Sequence, residues 1–296
     1  MTIRFPFRSS KLDMKSIFSS LLLCLAASLC AHGQYYYQDI DNARHTMEEH
    51  ALYQRLQVHH VRIRSFDYNH DLNKDFHCTR EMSDGFRRSV TRTSSFQTGN
   101  SVIISDFDDS GRVVSTLDSS AESVNVTRYH YDSVHPERID SLVFISSATK
   151  YVDTFRYSET HVYRYDASGR LSEIIREKNG ALFSTIAVET DSAGNVTKEA
   201  EHGKYDDAPP VYYKYNARNQ VTDIFHYNKA TGKLEPDYLF DYDDQGRLAE
   251  KTVVTMNTGG YLLWKYHYDE KGLVASEACY GKKEALQGTM EFEYTF

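Results

Sequence analysis

Tyr238-Leu239-Phe240-Asp241-Tyr242-Asp243-Asp244-Gln245-Gly246-Arg247-Leu248 decides the fold of this 296-residue chain. Its first half alternates: Tyr238, Phe240 and Tyr242 are aromatic, while Asp241 between them is charged. Alternation with period two places one set of side chains on each face of a half-buried antiparallel strand, whereas a helix would scatter these rings around its circumference. The second half is a turn. Asp243 opens it and can accept a backbone N–H two residues on, and Gly246 takes the left-handed conformation that a bulged hairpin turn needs.

The same phrase returns along the chain. It reads Phe107-Asp108-Asp109-Ser110-Gly111-Arg112 and Tyr165-Asp166-Ala167-Ser168-Gly169-Arg170, with weaker copies beginning at Tyr131, Thr190, Tyr215 and Tyr268. The turn residues are therefore Asp108 and Gly111, Asp166 and Gly169, Asp191 and Gly194, Asp243 and Gly246, and Asp269 and Gly272. From Tyr165 onward the copies start about 25–27 residues apart, and a fixed period of this size marks a repeat architecture. A second turn signal falls between copies, at Asn179-Gly180, Thr231-Gly232 and Gly259-Gly260, so each period holds two strands and two turns. The fold expected is mainly β: an antiparallel meander of repeated hairpins over 101–296, forming a curled or spiral sheet.

Residues 34–100 read differently. Asp39 or Asp41 can cap a helix over 35–57 that aligns Ile40, Ala43, Met47 and Ala51 on one stripe, with Leu52 and Leu56 adjacent. That short N-terminal helix is the expected cover or end-cap for the aromatic face of the sheet. Residues 58–100 read as irregular, charged strands. Met290, Phe292, Tyr294 and Phe296 form a last, apolar-faced strand; its Glu291 and Glu293 discourage edge pairing, yet the same edge can equally accept a partner strand, so an edge-strand dimer is a further expectation.

Residues 1–33 carry Arg4, Arg8, Lys11 and Lys15, an apolar run from Ile17 to Leu29, and the small residues Ala31 and Gly33. These are the parts of a secretory signal, too short for a stable membrane span, with cleavage expected between Gly33 and Gln34. Met14 is an alternative start. Cys24 follows Leu23 and Cys30 follows Leu29, which does not suit lipid modification, so a periplasmic or extracellular protein is expected rather than a lipoprotein. Loss of the signal takes the net charge from −8 to −11, which argues against nucleic acid and anionic membranes as partners. Cys78 and Cys279 remain as a candidate disulfide, with unpaired thiols the alternative.

The phrase Tyr-Asp-x-x-Gly-Arg-Leu at 165–171 and 242–248 resembles the YD repeat of the RHS family of bacterial secreted and surface proteins. The resemblance covers roughly 101–296, with departures at Thr190, Asn216, Asn219 and Leu273, and at His135-Pro136 in the copy beginning at Tyr131. It implies a continuous spiral of β-hairpins, which in longer members forms a shell around a toxin domain. A short chain of this kind, ending at Phe296 with no toxin-like tail, resembles uncharacterised secreted proteins of Bacteroides-type bacteria.

No catalytic constellation emerges. His45 and His50 of His45-x-x-Glu48-Glu49-His50 are five apart, not the four that zinc ligands on one helix face need. Asp71-x-Asn73-x-Asp75 opens like a calcium loop but has Phe76 and Met82 where the Gly and the bidentate Glu belong. A metal enzyme would need His45, His59, His60, His70 and His77 to converge. The sequence points to a non-enzymatic secreted binding or scaffold module with no cofactor and an unidentified protein or glycan partner. The alternative is a glycan-binding module using Tyr212, Tyr261, Trp264 or Tyr238. Tyr212 lies off the aromatic register and is the better surface candidate, while alternation turns Trp264 and Tyr238 inward.

Overall fold

The computed structural model describes residues 34–96, 98–148, 156–203, 207–255 and 260–296. The expected leader lies outside the described residues, as does Gly259 of the last inter-repeat turn signal. A six-residue π-helical segment, Tyr36–Asp41, runs into helix α1, Asn42–Leu56. Six strands follow: β1 (His60–Asp67), β2 (His77–Met82), β3 (Arg88–Ser95), β4 (Gly99–Phe107), β5 (Val113–Ser120) and β6 (Ser123–Tyr131). The next six are β7 (Ile139–Ala148), β8 (Arg156–Tyr165), β9 (Leu171–Lys178), β10 (Ala181–Thr190), β11 (Val196–Gly203) and β12 (Val211–Tyr215). The last six are β13 (Val221–Asn228), β14 (Lys233–Tyr242), β15 (Leu248–Thr255), β16 (Gly260–Tyr268), β17 (Val274–Tyr280) and β18 (Leu286–Thr295).

Each strand pairs antiparallel with the next, and β18 pairs with β1 from His60↔Thr295 to Asp67↔Gly288. The result is a closed antiparallel barrel of eighteen strands with one N-terminal helix, not the open curled or spiral sheet expected from the repeats. An even strand number lets an up-and-down meander close antiparallel on itself. Three strands that complete the ring come from the segment read as irregular: β1, β2 and β3. Glu291 and Glu293 do not guard an edge. Arg64 pairs with both, at 2.9 and 3.0 Å, and Arg62 lies 4.0 Å from Glu293, so opposite charges on β1 and β18 favour the closing register. The last strand has no open edge for a partner to extend.

The N-terminal helix, expected as a cover or end-cap, packs against the aromatic face. It is inside. Tyr36 packs edge-on against Tyr213 of β12, Tyr37 against Tyr238 and Phe240 of β14, His50 against Phe107 of β4, and Tyr53 against Tyr294 of β18. Those strands stand on different sides of the ring. Eighteen strands about 4.8 Å apart give a circumference of about 86 Å and a diameter of at least about 27 Å before tilt widens it. A helix of about 11 Å leaves roughly 8 Å on either side, a gap that Tyr, Phe and Trp side chains are long enough to cross. The inward register accordingly mixes rings that reach the helix, such as Tyr213 and Phe240, with aliphatic side chains such as Ile174, Ile186 and Ile224 that pack between them.

Each repeat is stapled to the one before. Asp166 accepts the N–H groups of Ser168 (2.8 Å) and Arg170 (2.9 Å), Gly169 sits at φ 79°, and the register slips between Arg164 and Tyr165. Asp108, Asp191, Asp243 and Asp269 repeat this bonding, with Gly111, Gly194, Gly246 and Gly272 all at positive φ. The tyrosine then clamps the preceding hairpin. Tyr131 donates to Val113 O, Tyr165 to Ile139 O, Tyr215 to Val196 O, Tyr242 to Val221 O, Tyr268 to Leu248 O and Tyr294 to Val274 O, at 2.7–2.9 Å. The preceding arginine completes the staple: Arg112, Arg138 and Arg247 lie 4.6, 5.3 and 4.4 Å over Tyr131, Tyr165 and Tyr268.

These turns all join an even strand to the following odd one, so they share one end of the barrel, here the turn end. The opposite end, the far rim, carries the remaining connections. On the outer wall the side chains between the aromatics form cross-strand ion pairs, including Arg92–Glu81, Arg88–Asp106, Lys198–Glu189 and Lys265–Glu250. A barrel that spans lipid carries an apolar band there. This wall carries both kinds of side chain: Val90, Ile104, Leu117, Val126 and Ile145 stand directly opposed in a row across β3–β7 beside those ion pairs, and no described helix is long and apolar enough to cross a membrane.

Candidate functional site: the sealed lumen and the open mouth

The start of the plug is held by a buried polar network that no sequence motif marks. Asp39 is not a helix cap. Its Oδ2 accepts the Tyr163 hydroxyl at 2.6 Å and lies 2.6 Å from His161 Nδ1. His161 Nε2 lies 3.0 Å from Glu159 Oε1, so both ring nitrogens face carboxylate oxygens and both donate only as the imidazolium. Burial opposes that charge, but Asp39 and Glu159 prevail and lift the imidazole to about 9. Glu159 feels the same burial, yet its bonds to His161, Tyr157 and Arg176 pull it down to about 2. Arg176 donates through Nε to Glu159 at 2.8 Å and through a terminal nitrogen to Glu201 at 2.5 Å, and Glu201 also accepts Ser184 (2.6 Å) and Tyr35 (3.0 Å) hydroxyls.

A second anchor is Glu199, only 2% exposed. It accepts the backbone N–H groups of Tyr35 (3.0 Å) and Tyr36 (2.7 Å) and the Tyr213 hydroxyl (3.1 Å). Burial nevertheless pushes its carboxyl up to about 8. Asp237 holds Gln34 Nε2 at 3.0 Å and His226 Nδ1 at 2.9 Å. Nearer the turn end, Glu49 of α1 bonds Arg80 of β2 at 2.7 Å, and the half-buried, inward Glu277 is raised to about 7, by desolvation first and then by Glu49. These groups tie the plug to strands around the ring. Their chemistry is that of a tether: each donor meets an acceptor, and the network is roofed by Tyr35 and Phe144, which pack on the His161 ring.

A cleft of about 600 Å³ opens between α1 (Glu48, Leu52, Arg55) and the turns after β14 and β16 (Gln245, Arg247, Glu270, Lys271). It carries charges of both signs. Arg247 is committed to Asp243 at 2.7 Å, and Lys271 sits over the Phe296 ring at 3.4 Å.

The residues singled out from sequence divide. Tyr238 stacks on Tyr37 and Phe240 inside the barrel, and Trp264 packs against the inner cluster of Val61, Ile63 and Met290, so neither ring is open to a ligand on the wall. Tyr212 lies on the outer wall, opposite Lys198 and Phe225, and Tyr261 is on the outer register of β16 opposite Val254. The histidines do not converge. His59 and His60 stand at the turn end and His70 and His77 at the far rim, a strand of eight residues, or about 27 Å, away. His45 lies 3.5 Å from Asp41, and His50 bonds Phe86 O at 2.7 Å. No metal-binding group occurs among the described residues. Asp71 and Asn73 lie in a loop tied by its own turns, Asp67 accepting the N–H of Asn69 and of Asp71, and Asn73 that of Asp75.

Cys78 and Cys279 are buried inward on β2 and β17 and are not joined to each other. Strands β18 and β1 stand between theirs, a separation of about 14 Å along the wall, twice what a disulfide bridges.

Sequence reasoning missed Asp39, Glu159, His161, Arg176, Glu199 and Glu201. A signal existed for two of them: Glu159 and His161 share the register of Tyr163 and Tyr165, which alternation had already turned inward.

No family model matches the chain, and no curated protein matches it. Solved structures do. A porin-like protein from Bacteroides uniformis is similar over 80% of this chain and 98% of its own, at 10% identity and a TM-score of 0.37. A porin-like protein from Bacteroides vulgatus covers the same shares at 14% identity and 0.27. TcdB2-TccC3 without its hypervariable C-terminal region is similar over 79% of this chain but 16% of its own length, at 11% identity and 0.32. Likenesses of this depth establish neither family nor activity.

Proposed function

We propose that this chain is an exported, non-enzymatic binding module of the cell envelope, a barrel whose lumen is spent on holding its own plug. The observation that carries this reading is the state of the ionisable groups inside. Asp39, Glu159, His161, Arg176, Glu199 and Glu201 are engaged with one another or with the plug backbone, and aromatic rings cover them. A general acid or base has to reach a substrate atom. Recognition is then left to the mixed-charge cleft at the turn end and to the outer wall.

A glycan is the second ligand class, favoured by one feature of the wall. Tyr212 and Phe225 are directly opposed across β12 and β13 on the outer face, and adjacent rings of this kind supply a platform for a pyranose face. Lys214 lies 4.7 Å over Phe225 and would have to swing aside.

A glycan array probed with the processed protein tests both. Saturable binding lost in Tyr212→Ala assigns the wall to carbohydrate. Binding that survives Tyr212→Ala but falls in Arg55→Ala assigns the cleft. Turnover of any glycan, abolished in His161→Gln, would overturn the non-enzymatic reading.

A further inference from the structure

The stretch that leads into α1 is built unlike the rest of the plug. Tyr36–Asp41 is a π-helical turn, wider than an α-helical one, and such turns are rare and occur chiefly as single insertions in α-helices. Its sequence holds no Gly or Pro and does not forbid the α form. The wall holds the turn open. Glu199 of β11 accepts the N–H groups of Tyr35 and Tyr36, Tyr37 packs on Tyr238 and Phe240 of β14, and Asp39 reaches His161 and Tyr163 of β8. Two polar atoms of the stretch, Gln34 Oε1 and Gln38 Nε2, are enclosed with no hydrogen-bond partner among the described residues, which weighs against this arrangement. By contrast, α1 has anchors of its own, from His50 to Phe86 O and from Glu49 to Arg80. The stretch is therefore an element with two arrangements. With α1 fixed, closing the turn to α register rotates its start by up to one residue, about 100°. That takes Asp39 off β8 and the N–H groups of Tyr35 and Tyr36 off Glu199.

We infer that residues 34–41 form a proton-operated latch: a charged His161 holds the segment in its π turn against β8, and a neutral His161 frees it to relax into the α-helical register while α1 and the barrel stay in place. The geometry decides which bond yields. The imidazolium donates to Asp39 at 2.6 Å and to Glu159 at 3.0 Å, whereas the neutral ring has one N–H for two carboxylates. Glu159 keeps Arg176 and the Tyr157 hydroxyl, and Asp39 keeps only the Tyr163 hydroxyl among the described residues. Asp39 is the partner that lets go. The other groups around the ring do not replace the lost charge. Tyr35 and Phe144 present their rings, Tyr129 of β6 bonds Thr116, and Arg176 is divided between Glu159 and Glu201. Burial opposes the charge on His161, but Asp39 and Glu159 lift it to about 9, so the latch opens on the alkaline side. Glu199, pushed up to about 8 by burial, gains its own charge over the same interval and acts in the same direction. Opening uncovers Arg176, Glu199 and Glu201, which the anchored stretch now occupies.

Amide hydrogen exchange with millisecond mixing and mass spectrometry tests the latch, each rate being divided by its value in an unstructured chain so that the chemical effect of pH drops out. Protection of amides 35–41 is expected to fall at least about tenfold between pH 7 and pH 10, while amides 44–56 of α1 and those of the strands change far less. His161→Gln lacks the charge at every pH, so the same amides should already be weakly protected at pH 7 and show no further fall. A wild-type fall no larger than that of α1, or an equal fall in His161→Gln, would overturn the proposal. A fall that disappears in Glu199→Gln but persists in His161→Gln would also overturn it and move the trigger to Glu199. If His161→Gln does not fold, the wild-type profile and Glu199→Gln decide between the same outcomes.

Discussion

Replacing Asp39 by Asn removes one anion from an imidazolium that has two, and the consequence depends on pH. His161 is 5% exposed, and Asp39 and Glu159 raise it from 6.5 to about 9 against the pull of burial, a shift worth on the order of 3 kcal/mol of folding free energy. The folded value exceeds the unfolded one. The stabilisation is therefore complete below about pH 6.5, declines as pH rises, and is gone above about 9. Asp39→Asn leaves the buried charge with Glu159 alone, and Glu159 is shared with Arg176. The expected loss is about 3 kcal/mol at pH 6, narrowing to about 1 kcal/mol at pH 10, where ordinary hydrogen bonds remain. With a urea slope near 3 kcal/mol/M this is a midpoint shift of about 1 M at pH 6 and about a third of that at pH 10. Glu277 also destabilises the barrel as pH rises through about 7, but it does so in both proteins and cancels in the difference; Glu199, raised to about 8 by burial first and in part by Asp39, is penalised less in Asp39→Asn and narrows the gap in the same direction. A midpoint difference that is the same at both pH values would refute the charged tether.

Tyr268→Phe deletes the hydroxyl that clamps Leu248 O at 2.8 Å while keeping the ring under Arg247, and should lower stability by about 1 kcal/mol in thermal melts. If melting is unchanged, the repeat tyrosines serve as rings only. Gly272→Ala meets nothing within 4 Å but holds φ at +86°, so its expected cost is the strain of the left-handed region, about 1–2 kcal/mol. Gly169→Ala adds a collision with the Arg138 guanidinium and should cost more; the reverse order in denaturation would contradict the staple. Cys78 and Cys279 should resist thiol reagents in the native protein and both react in denaturant, and recovery of a Cys78–Cys279 disulfide peptide would count against their placement.

The hairpins were legible because their chemistry is local. Asp166 and Gly169 act within one turn, and Tyr163 and Tyr165 share a register with their neighbours, so four or five consecutive residues carry the whole signal. Closure was not legible, because it rests on pairing His60 with Thr295, and Arg64 with Glu291, across nearly the full chain. The charges that complement each other across that seam looked like a solvated segment at one end and a protected edge at the other. The polar network was hidden for a different reason. Hydrophobic alternation expects apolar residues inward, and Glu199 and Glu201 violate it, as does Asp39 in a segment that looked like a helix cap. Inward acids are tolerable only because the plug brings backbone N–H groups, a hydroxyl and a guanidinium to them, and that arrangement exists only once the barrel has formed.

The plug precedes all eighteen strands in the chain, and β18, which seals the ring, follows the other seventeen. Synthesis therefore delivers the mandrel before any of the wall wound around it. Each hairpin can form as it emerges, since its contacts are near neighbours, but the β1–β18 seam joins residues more than two hundred positions apart and has to wait for the last ten. Until then β1 and whichever strand is newest present raw edges, and the tyrosines that will face α1 have only the plug to shield them from one another. Closure of the ring is thus the most non-local step in the fold, and the segment that precedes every strand is enclosed only when that step is complete.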